Sequence, residues 1–308
     1  MNWFFIALGA PFLWAIVNIA DQFLVTKYSI KEKERSSGGL VLFSSLIGIF
    51  IALGIGILTP NVSNIIFFDK FLLIIAGGLS IVWIILYLYA IEIENISVIV
   101  PWFLTVPIFG YILGYIFLGE TLTFHQILGS LIVFLGLILI SIDFFEKKEK
   151  RGIKKQIIIY MLSASIIVAI SGIIFKYVTV EGDFWVSSFW EYIGLGGGGL
   201  ILYIFVPKYR KEFMHMNRTG GKKIFMINIA SELMTIFGNL MTNFALLLAP
   251  VAMVYLIGSF QPAIVLILII IGTKFFPHII KENISHKVLI QKIIAIIIMI
   301  VGSMFLFT

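Results

Sequence analysis

Long apolar stretches alternate with short polar or Gly/Pro-containing stretches along the whole chain. An α-helix needs about 20 apolar residues to cross the hydrocarbon core of a bilayer, and most of these stretches are that long. The pattern predicts ten membrane-spanning helices, at residues 3–26, 40–59, 71–91, 96–118, 124–144, 157–179, 185–206, 223–247, 251–272 and 289–307. We therefore expect an all-α integral membrane protein.

The positions of the basic residues test this count, because successive loops must lie on alternate sides of the membrane. Twenty of the 22 Lys and Arg residues follow the first, fifth, seventh or ninth predicted helix, and only Lys70 and Lys176 fall on the other side. The positive-inside rule makes the basic side cytoplasmic. A multi-pass protein of the cell membrane with both termini outside is expected.

Composition agrees with this class. The chain is 60% hydrophobic and 12% charged, whereas a soluble domain has about 25% charged residues. The absence of Cys excludes disulfides and cysteine metal sites. The net charge of +6 is explained by the basic loops. The expected partner is therefore the lipid bilayer, and no nucleic-acid partner is expected.

The two halves of the sequence resemble each other. FSSLIGIFIALGIG from Phe43 and VSSFWEYIGLGGGG from Val186 share a Ser-Ser pair and two glycines without a gap. The third and fourth predicted helices align with the eighth and ninth, which matches Pro107 with Pro262. Five helices is an odd number, so the halves cross the membrane in opposite senses. We predict two inverted five-helix repeats, residues 1–150 and 151–308, an arrangement typical of transporters that work by alternating access.

The eighth predicted helix carries a polar stripe in an otherwise apolar span. Five residues recur at steps of three or four and share one helix face: Asn228, Glu232, Thr235, Asn239 and Asn243. Glu232 lies roughly 13 Å into the span. An ionisable group at that depth faces protein or a water-filled cavity, which makes it a candidate site for cargo or a coupling ion. A Glu that only joins helices by hydrogen bonds is the alternative interpretation.

Other spans carry further candidates. Glu191 in the seventh helix and Glu232 match Gly48 and Gly77 in the first half, so both acids occur in one half only. Asp21 follows Asn18 by nearly one turn. The remaining candidates for cargo contact are Trp14, Trp102, Tyr255, Phe260 and Gln261.

Several residues are assigned structural or hinge roles. Three prolines interrupt spans and are predicted hinges because they free backbone carbonyls: Pro101, Pro107 and Pro262. The glycines at 194 and 196–199 are expected to allow close helix contact. Lys176 is expected to extend to the interface rather than pair with Glu191, and Glu120 is expected to cap the helix that follows it.

Residues 90–142 carry a recognisable motif. It combines the prolines of the fourth helix, the turn LGETLT through Glu120, and then Gln126, Gly129 and Gly136. These features resemble the EamA module of the drug/metabolite transporter superfamily, as does FLWAIVNIADQFLVTK at 12–27. The second half departs from the module, with GTKFFPHIIKENISHKVLIQK in place of the turn and Glu282 as a shifted counterpart of Glu120. The resemblance implies secondary transport of small organic solutes.

Motifs for catalysis are absent from the sequence. The four His residues lie in loops or at span ends, and no GxxxxGK[ST] phosphate-binding loop occurs. No enzyme activity, cofactor or metal is expected. The favoured hypothesis is a secondary transporter of an amino acid, amine or related metabolite, with protons as a candidate coupling ion. The alternatives are a lipid or lipid-linked flippase, and a receptor or scaffold that binds a partner at 207–223.

Overall fold

The computed structural model describes residues 2–27, 37–94, 96–141, 155–275 and 286–307, and these residues are helical apart from short connections. The α-helices are α1 Asn2–Lys27, α2 Gly38–Leu58, α3 Phe67–Ile93, α4 Ile96–Ile99, α5 Val106–Leu118, α6 Phe124–Ser141, α7 Lys155–Thr179, α8 Phe184–Phe205, α9 Pro207–Leu248, α10 Val251–Gly258, α11 Gln261–Phe275 and α12 His286–Met304. 3₁₀-helices occupy Val100–Thr105 and Phe305–Phe307. The predicted all-α class is confirmed. The turn around Glu282 and the basic connections at 28–36 and 142–154 lie outside the described residues.

Seven helices in the described part are long and apolar enough to cross a membrane, and an eighth is obtained if α8 and the start of α9 count as one bent span. Two apolar helices are shorter, Phe124–Leu139 and Ile293–Met304. The protein is therefore a multi-pass membrane protein. The count of ten spans and their inverted-repeat order stay predictions.

The segment after α8 differs from expectation. Residues 207–222, expected as a basic loop, are helical, and the first part of α9 up to Arg218 makes an angle of 100° with α8. Pro207 occupies the first turn of this helix, where a missing N–H costs nothing. Tyr209, Glu212 and Met216 form a buried stripe at helical spacing. α9 changes direction at Gly221, with φ 61° and ψ −169°, a backbone conformation that favours glycine.

Two predicted spans are broken into shorter helices. The 96–118 span contains α4, the 3₁₀-helix Val100–Thr105 and then α5, while the 251–272 span is interrupted between α10 and α11. Pro101, Pro107 and Pro262 each lie in the first turn of a helix that follows a break. The prolines thus start helices instead of kinking continuous ones, because their fixed φ suits a first turn.

The turn between α5 and α6 is stabilised by contacts between residues that are close in sequence. Gly119 ends α5 with a φ of 64°. Thr123 and Gln126 form a reciprocal capping box at the start of α6: the Gln126 N–H donates to Thr123 Oγ1 at 3.2 Å, and the Thr123 N–H donates to Gln126 Oε1 at 3.0 Å. Glu120, expected to cap α6, is free for another role described below.

The helices pack in a consistent pattern. α2 packs on α8, α6 on α12, and α5 on α10. α3 contacts α7 and α8, while α9 contacts α1 and α2. Glycines permit the closest approaches: a Cβ on Gly77 would collide with the carbonyl oxygen of Glu191, and one on Gly196 would lie 2.7 Å from the backbone nitrogen of Ile49. The close helix contact expected of these glycines is confirmed at four positions, Gly194, Gly196, Gly198 and Gly199, whereas Gly197 faces open space.

Candidate functional site

A cavity lies among α1, α2, α3, α7, α8, α9, α10 and α11. It leaves about 190 Å³ for the centres of water molecules, many times what one bound water needs. Its polar lining consists of Trp14, Asn18, Asp21, Ser44, Ser80, Tyr87, Ser171, Glu191, Tyr192, Glu232, Thr235, Asn239, Thr242, Asn243, Tyr255, Ser259 and Gln261. The space is large enough for a small organic solute.

Most of the candidates predicted from sequence meet at this cavity. The members of the prediction that line it are Trp14, Asn18, Asp21, Glu191, Glu232, Asn239, Asn243, Tyr255 and Gln261. They come from helices far apart in the chain. The polar stripe of α9 thus faces a space inside the protein, as its spacing predicts.

Other candidates lie outside the cavity lining. Asn228, at the end of the stripe nearest Gly221, is buried with its Nδ2 3.7 Å from Met216 Sδ. It packs under the folded-back start of α9. Trp102 and Phe260 pack against apolar core clusters. The three hinge prolines are close in sequence to residues that line the cavity, but they do not line it themselves.

Glu232 is held by a helix from the other half of the chain. It is 8% exposed, and the hydroxyl of Ser44 on α2 donates a hydrogen bond to its Oε1. Ser44 belongs to the Ser-Ser pair that marks the repeat. The sequence signalled the position through that repeat, but it did not indicate that Ser44 contacts Glu232.

Glu191 has a separate partner. The Nδ2 of Asn243 donates to Glu191 Oε2 at 2.8 Å, which joins α8 to the end of α9. Tyr255 reaches the same region from α10, and its hydroxyl donates to the carbonyl oxygen of Val168 at 3.0 Å. Gly172 makes room for this hydroxyl, because a Cβ there would collide with it.

The third acid belongs to α1. The Tyr87 hydroxyl donates to Asn18 Oδ1 at 2.7 Å and lies 3.5 Å from Asp21 Oδ2. Asp21 is close enough to Glu232 for the two carboxyls to interact electrostatically. Asn18 is 4% exposed, and its Nδ2 has no hydrogen-bond partner in the described part of the chain.

Sequence reasoning did not select several residues that line the cavity. The main ones are Ser44, Ser80, Trp83, Tyr87, Ser171 and Tyr192. Trp83 and Tyr87 are one helical turn apart, a spacing that places them on one face, and this was an available signal. Ser80 and Ser171 carried none, because single Ser residues are common in membrane helices.

The one buried ion pair resolved in the described segments lies away from the cavity lining. Lys176 Nζ is 2.6 Å from Glu120 Oε1 and donates to the carbonyl oxygen of Ala249 at 2.7 Å. The other Glu120 oxygen accepts the Val251 N–H at 2.8 Å. The sequence predicted the wrong contacts for both residues. Lys176 pairs with Glu120 instead of extending to the interface, and Glu120 caps α10 instead of α6.

The cavity is therefore acidic. Among the described residues, three carboxyl side chains line it and no Lys, Arg or His does. No group of three metal-ligating side chains occurs among the described residues. Carboxylates with aromatic faces and amides nearby are suited to binding an ammonium group or a proton.

Comparison with known proteins gives a family match and a solved structure of similar fold. Residues 1–142 match the model of the EamA-like transporter family, and the resemblance found in the sequence is confirmed. A solved structure described only as "Crystal structure of protein" superposes with a TM-score of 0.69 at 13% identity, covering 99% of this chain and 96% of that one. At that identity it supports the fold alone. No curated protein matches the chain.

Proposed function

We propose that the chain, of which residues 1–142 match the EamA-like transporter family, is a transporter of the drug/metabolite superfamily and moves a small polar organic solute across the cell membrane by alternating access. The proposed cargo class is an amino acid, an amine or a related metabolite. Transport is secondary, with protons as the coupling ion.

The observation that carries this proposal is the acidic cavity. Asp21, Glu191 and Glu232 face one space, and no Lys, Arg or His in the described part of the chain shares it. Burying carboxyls at this depth is costly, and a purely structural role would be fulfilled more cheaply by apolar packing. A cationic cargo, or protons when cargo is absent, compensates these charges.

Helix contacts support the two-module arrangement. When the first five predicted spans are exchanged with the last five, the contact of α2 with α8 and that of α6 with α12 each map onto themselves, and the contact of α3 with α7 maps onto that of α1 with α9. Such an exchange is what an inverted repeat requires. The cavity is lined from both modules, as a site of alternating access must be.

Each lining group has a proposed role. Glu232 binds the cargo or the coupling proton, and Ser44 orients its carboxyl. Glu191 with Asn243 forms a second polar contact. Asn239, Gln261 and Asn18 supply hydrogen bonds around the cargo, and Trp14 supplies an aromatic wall.

The breaks in the broken spans are the proposed hinges. The chain is not α-helical between α4 and α5 or between α10 and α11. Pro107 and Pro262 each follow one of these breaks, and Pro101 lies inside the first. Two α-helical segments joined by such a break can change their relative angle without breaking regular helical hydrogen bonds.

Transport by purified protein in proteoliposomes tests the function. A thermal-shift screen of metabolites identifies a cargo first, because a bound ligand raises stability by mass action. The uptake of that cargo should then depend on pH, since a proton and a cation compete for the same carboxylate. Glu232→Gln is expected to abolish this pH dependence while the protein stays folded.

The matched control is Glu181→Gln, which makes the same change at an exposed turn between α7 and α8. Other titratable side chains share the cavity, namely Asp21, Tyr87, Glu191, Tyr192 and Tyr255, so the profile is compared with that of Glu191→Gln. Unchanged transport by Glu232→Gln at every pH would contradict the role of Glu232. The absence of flux for every solute bound in the screen would contradict transport itself.

A further inference from the structure

The acids of the cavity are spread along the axis of α9. Glu232 and Asn243 are eleven residues apart on α9, which is three turns and returns to nearly the same face. The corresponding distance along the helix axis is about 16.5 Å at 1.5 Å per residue. Because Asn243 holds the Glu191 carboxyl at 2.8 Å, the Glu191 and Glu232 carboxyls lie at opposite ends of one polar row.

The residues between these ends continue the row. Thr235 and Asn239 lie on the same α9 face and line the cavity. Apolar and aromatic side chains also line the space, including Trp83 and Ile84 of α3. The methylene groups of a cargo can lie against these apolar and aromatic side chains, while the polar row accepts hydrogen bonds from amine groups along the cargo.

From this spacing we propose that the cargo is an elongated organic dication, a linear diamine or polyamine, with one terminal ammonium group at Glu232 and the other at Glu191. This inference rests on the proposed function and specifies its substrate class. Asp21 adds a second carboxyl beside Glu232. The end of the cargo at Glu232 therefore has two carboxyl groups available.

A buried polar atom at that end also points to a ligand. Asn18 lies nearly one turn before Asp21 and lines the cavity, and its Nδ2 is buried without a hydrogen-bond partner in the described residues. A buried donor without an acceptor costs about 1–3 kcal/mol. The Asn18 amide can therefore donate to an acceptor that enters the cavity with the cargo, such as a water molecule.

The spacing also sets the length of the cargo. Each ammonium–carboxylate contact takes about 2.8 Å, which leaves about 11 Å between the terminal nitrogens of the cargo. An extended chain advances about 1.2 Å per bond, so nine bonds fit. 1,8-Diaminooctane and spermidine have this length, whereas 1,3-diaminopropane spans less than half of it.

Binding to the full-length purified protein, measured by thermal shift and isothermal titration, tests the proposal. The probes are spermidine, 1,8-diaminooctane, 1,3-diaminopropane and propylamine. The two long amines are expected to bind at least tenfold more tightly than the two short ones, because only they reach both carboxylates. This comparison uses the unaltered protein and needs no variant to fold.

Substitutions at the two carboxyls then test whether each one binds an end of the cargo. Glu191→Gln and Glu232→Gln are each expected to weaken spermidine binding tenfold or more and to change propylamine binding less, while Glu181→Gln changes neither. If propylamine bound as tightly as spermidine, the proposal of a dication as cargo would be wrong, while the proposed transport of an amine would still stand. If the protein binds and transports a neutral solute but no amine, the dication also fails while the transport function stands. If no solute binds or moves, the proposed function fails as well.

Discussion

The Lys176 ammonium group lies 2.6 Å from the Glu120 carboxylate. This pair joins α7 to the turn after α5, and both residues also reach the break between α9 and α10, through the carbonyl of Ala249 and the N–H of Val251. The two side chains are 12% and 15% exposed. The pair therefore ties the first half of the chain to the second, at the end of the bundle where α5, α7 and α9 terminate.

Removing one partner of this pair should destabilise the protein. Lys176→Met leaves the Glu120 charge without a partner in a mostly buried place, and a loss of about 3 kcal/mol in unfolding free energy is expected. The double variant with Glu120→Gln should recover part of that loss. Thermal unfolding of the four proteins in one detergent forms a double-mutant cycle. A strictly additive cycle would show that the pair does not contribute as a unit.

Glycine at position 77 should be essential for the packing of α3 on α8. Gly77→Ala places a methyl group against the Glu191 carbonyl oxygen and within 2.6 Å of the Leu195 nitrogen. A destabilisation of about 1–3 kcal/mol is expected, with weaker cargo binding because Glu191 is displaced. Gly78→Ala is the control, since a Cβ at that neighbouring position meets no atom within 4 Å. Equal melting temperatures for the two variants would contradict the packing argument.

The hydroxyl of Ser44 should matter more than that of its repeat counterpart. Ser44→Ala removes the donor to Glu232, and a five- to thirty-fold weaker cargo affinity is expected from the loss of about 1–2 kcal/mol. Ser187→Ala removes a buried hydroxyl that has no partner among the described residues, so affinity should stay unchanged. The comparison is made by titration of the cargo found in the metabolite screen. A similar effect of both variants would indicate that Ser44 acts through general packing.

The orientation predicted from the basic loops can be measured directly. The chain has no Cys, so single cysteines introduced by Lys211→Cys and Glu181→Cys report on their own positions. Both native residues are exposed. A membrane-impermeant maleimide should label the Glu181→Cys protein in intact cells, and the Lys211→Cys protein only after permeabilisation. The reverse pattern would invert the topology.

Part of the candidate site could be predicted from the amino-acid sequence. The spacing of Glu232, Asn239 and Asn243 on one helix face is a property of the local backbone, and the depth of Glu232 already indicated an internal cavity. The recurrence of the Ser-Ser pair marked Ser44 as part of the repeat, but it did not mark it as a site residue. Its contact with Glu232 was not predictable, because which remote helix faces a given residue depends on packing between distant parts of the chain.

The outcome for Lys176 shows the same limit. Its position near the end of a span was correct, but its partner was not. Glu120 comes from the other half of the chain, and the Val251 N–H has no partner within its own helix because Val251 is the first residue of α10. Similarly, the folded-back start of α9 depends on Tyr209 and Glu212 packing at the first residues of α2, a contact absent from any local pattern.

The sequence by itself determined the all-α membrane class, the polar face of α9 and the family of the first module. These follow from local rules, since a bilayer forces each span to satisfy its own backbone hydrogen bonds and to place its polar groups on one side. Only the tertiary structure decided which helices meet at the cavity, how Asn243 and Ser44 hold two separate carboxyls, and where the broken spans lie. Those features depend on contacts between residues far apart in the chain, and close packing at glycines selects among arrangements that the hydrophobic pattern leaves equivalent.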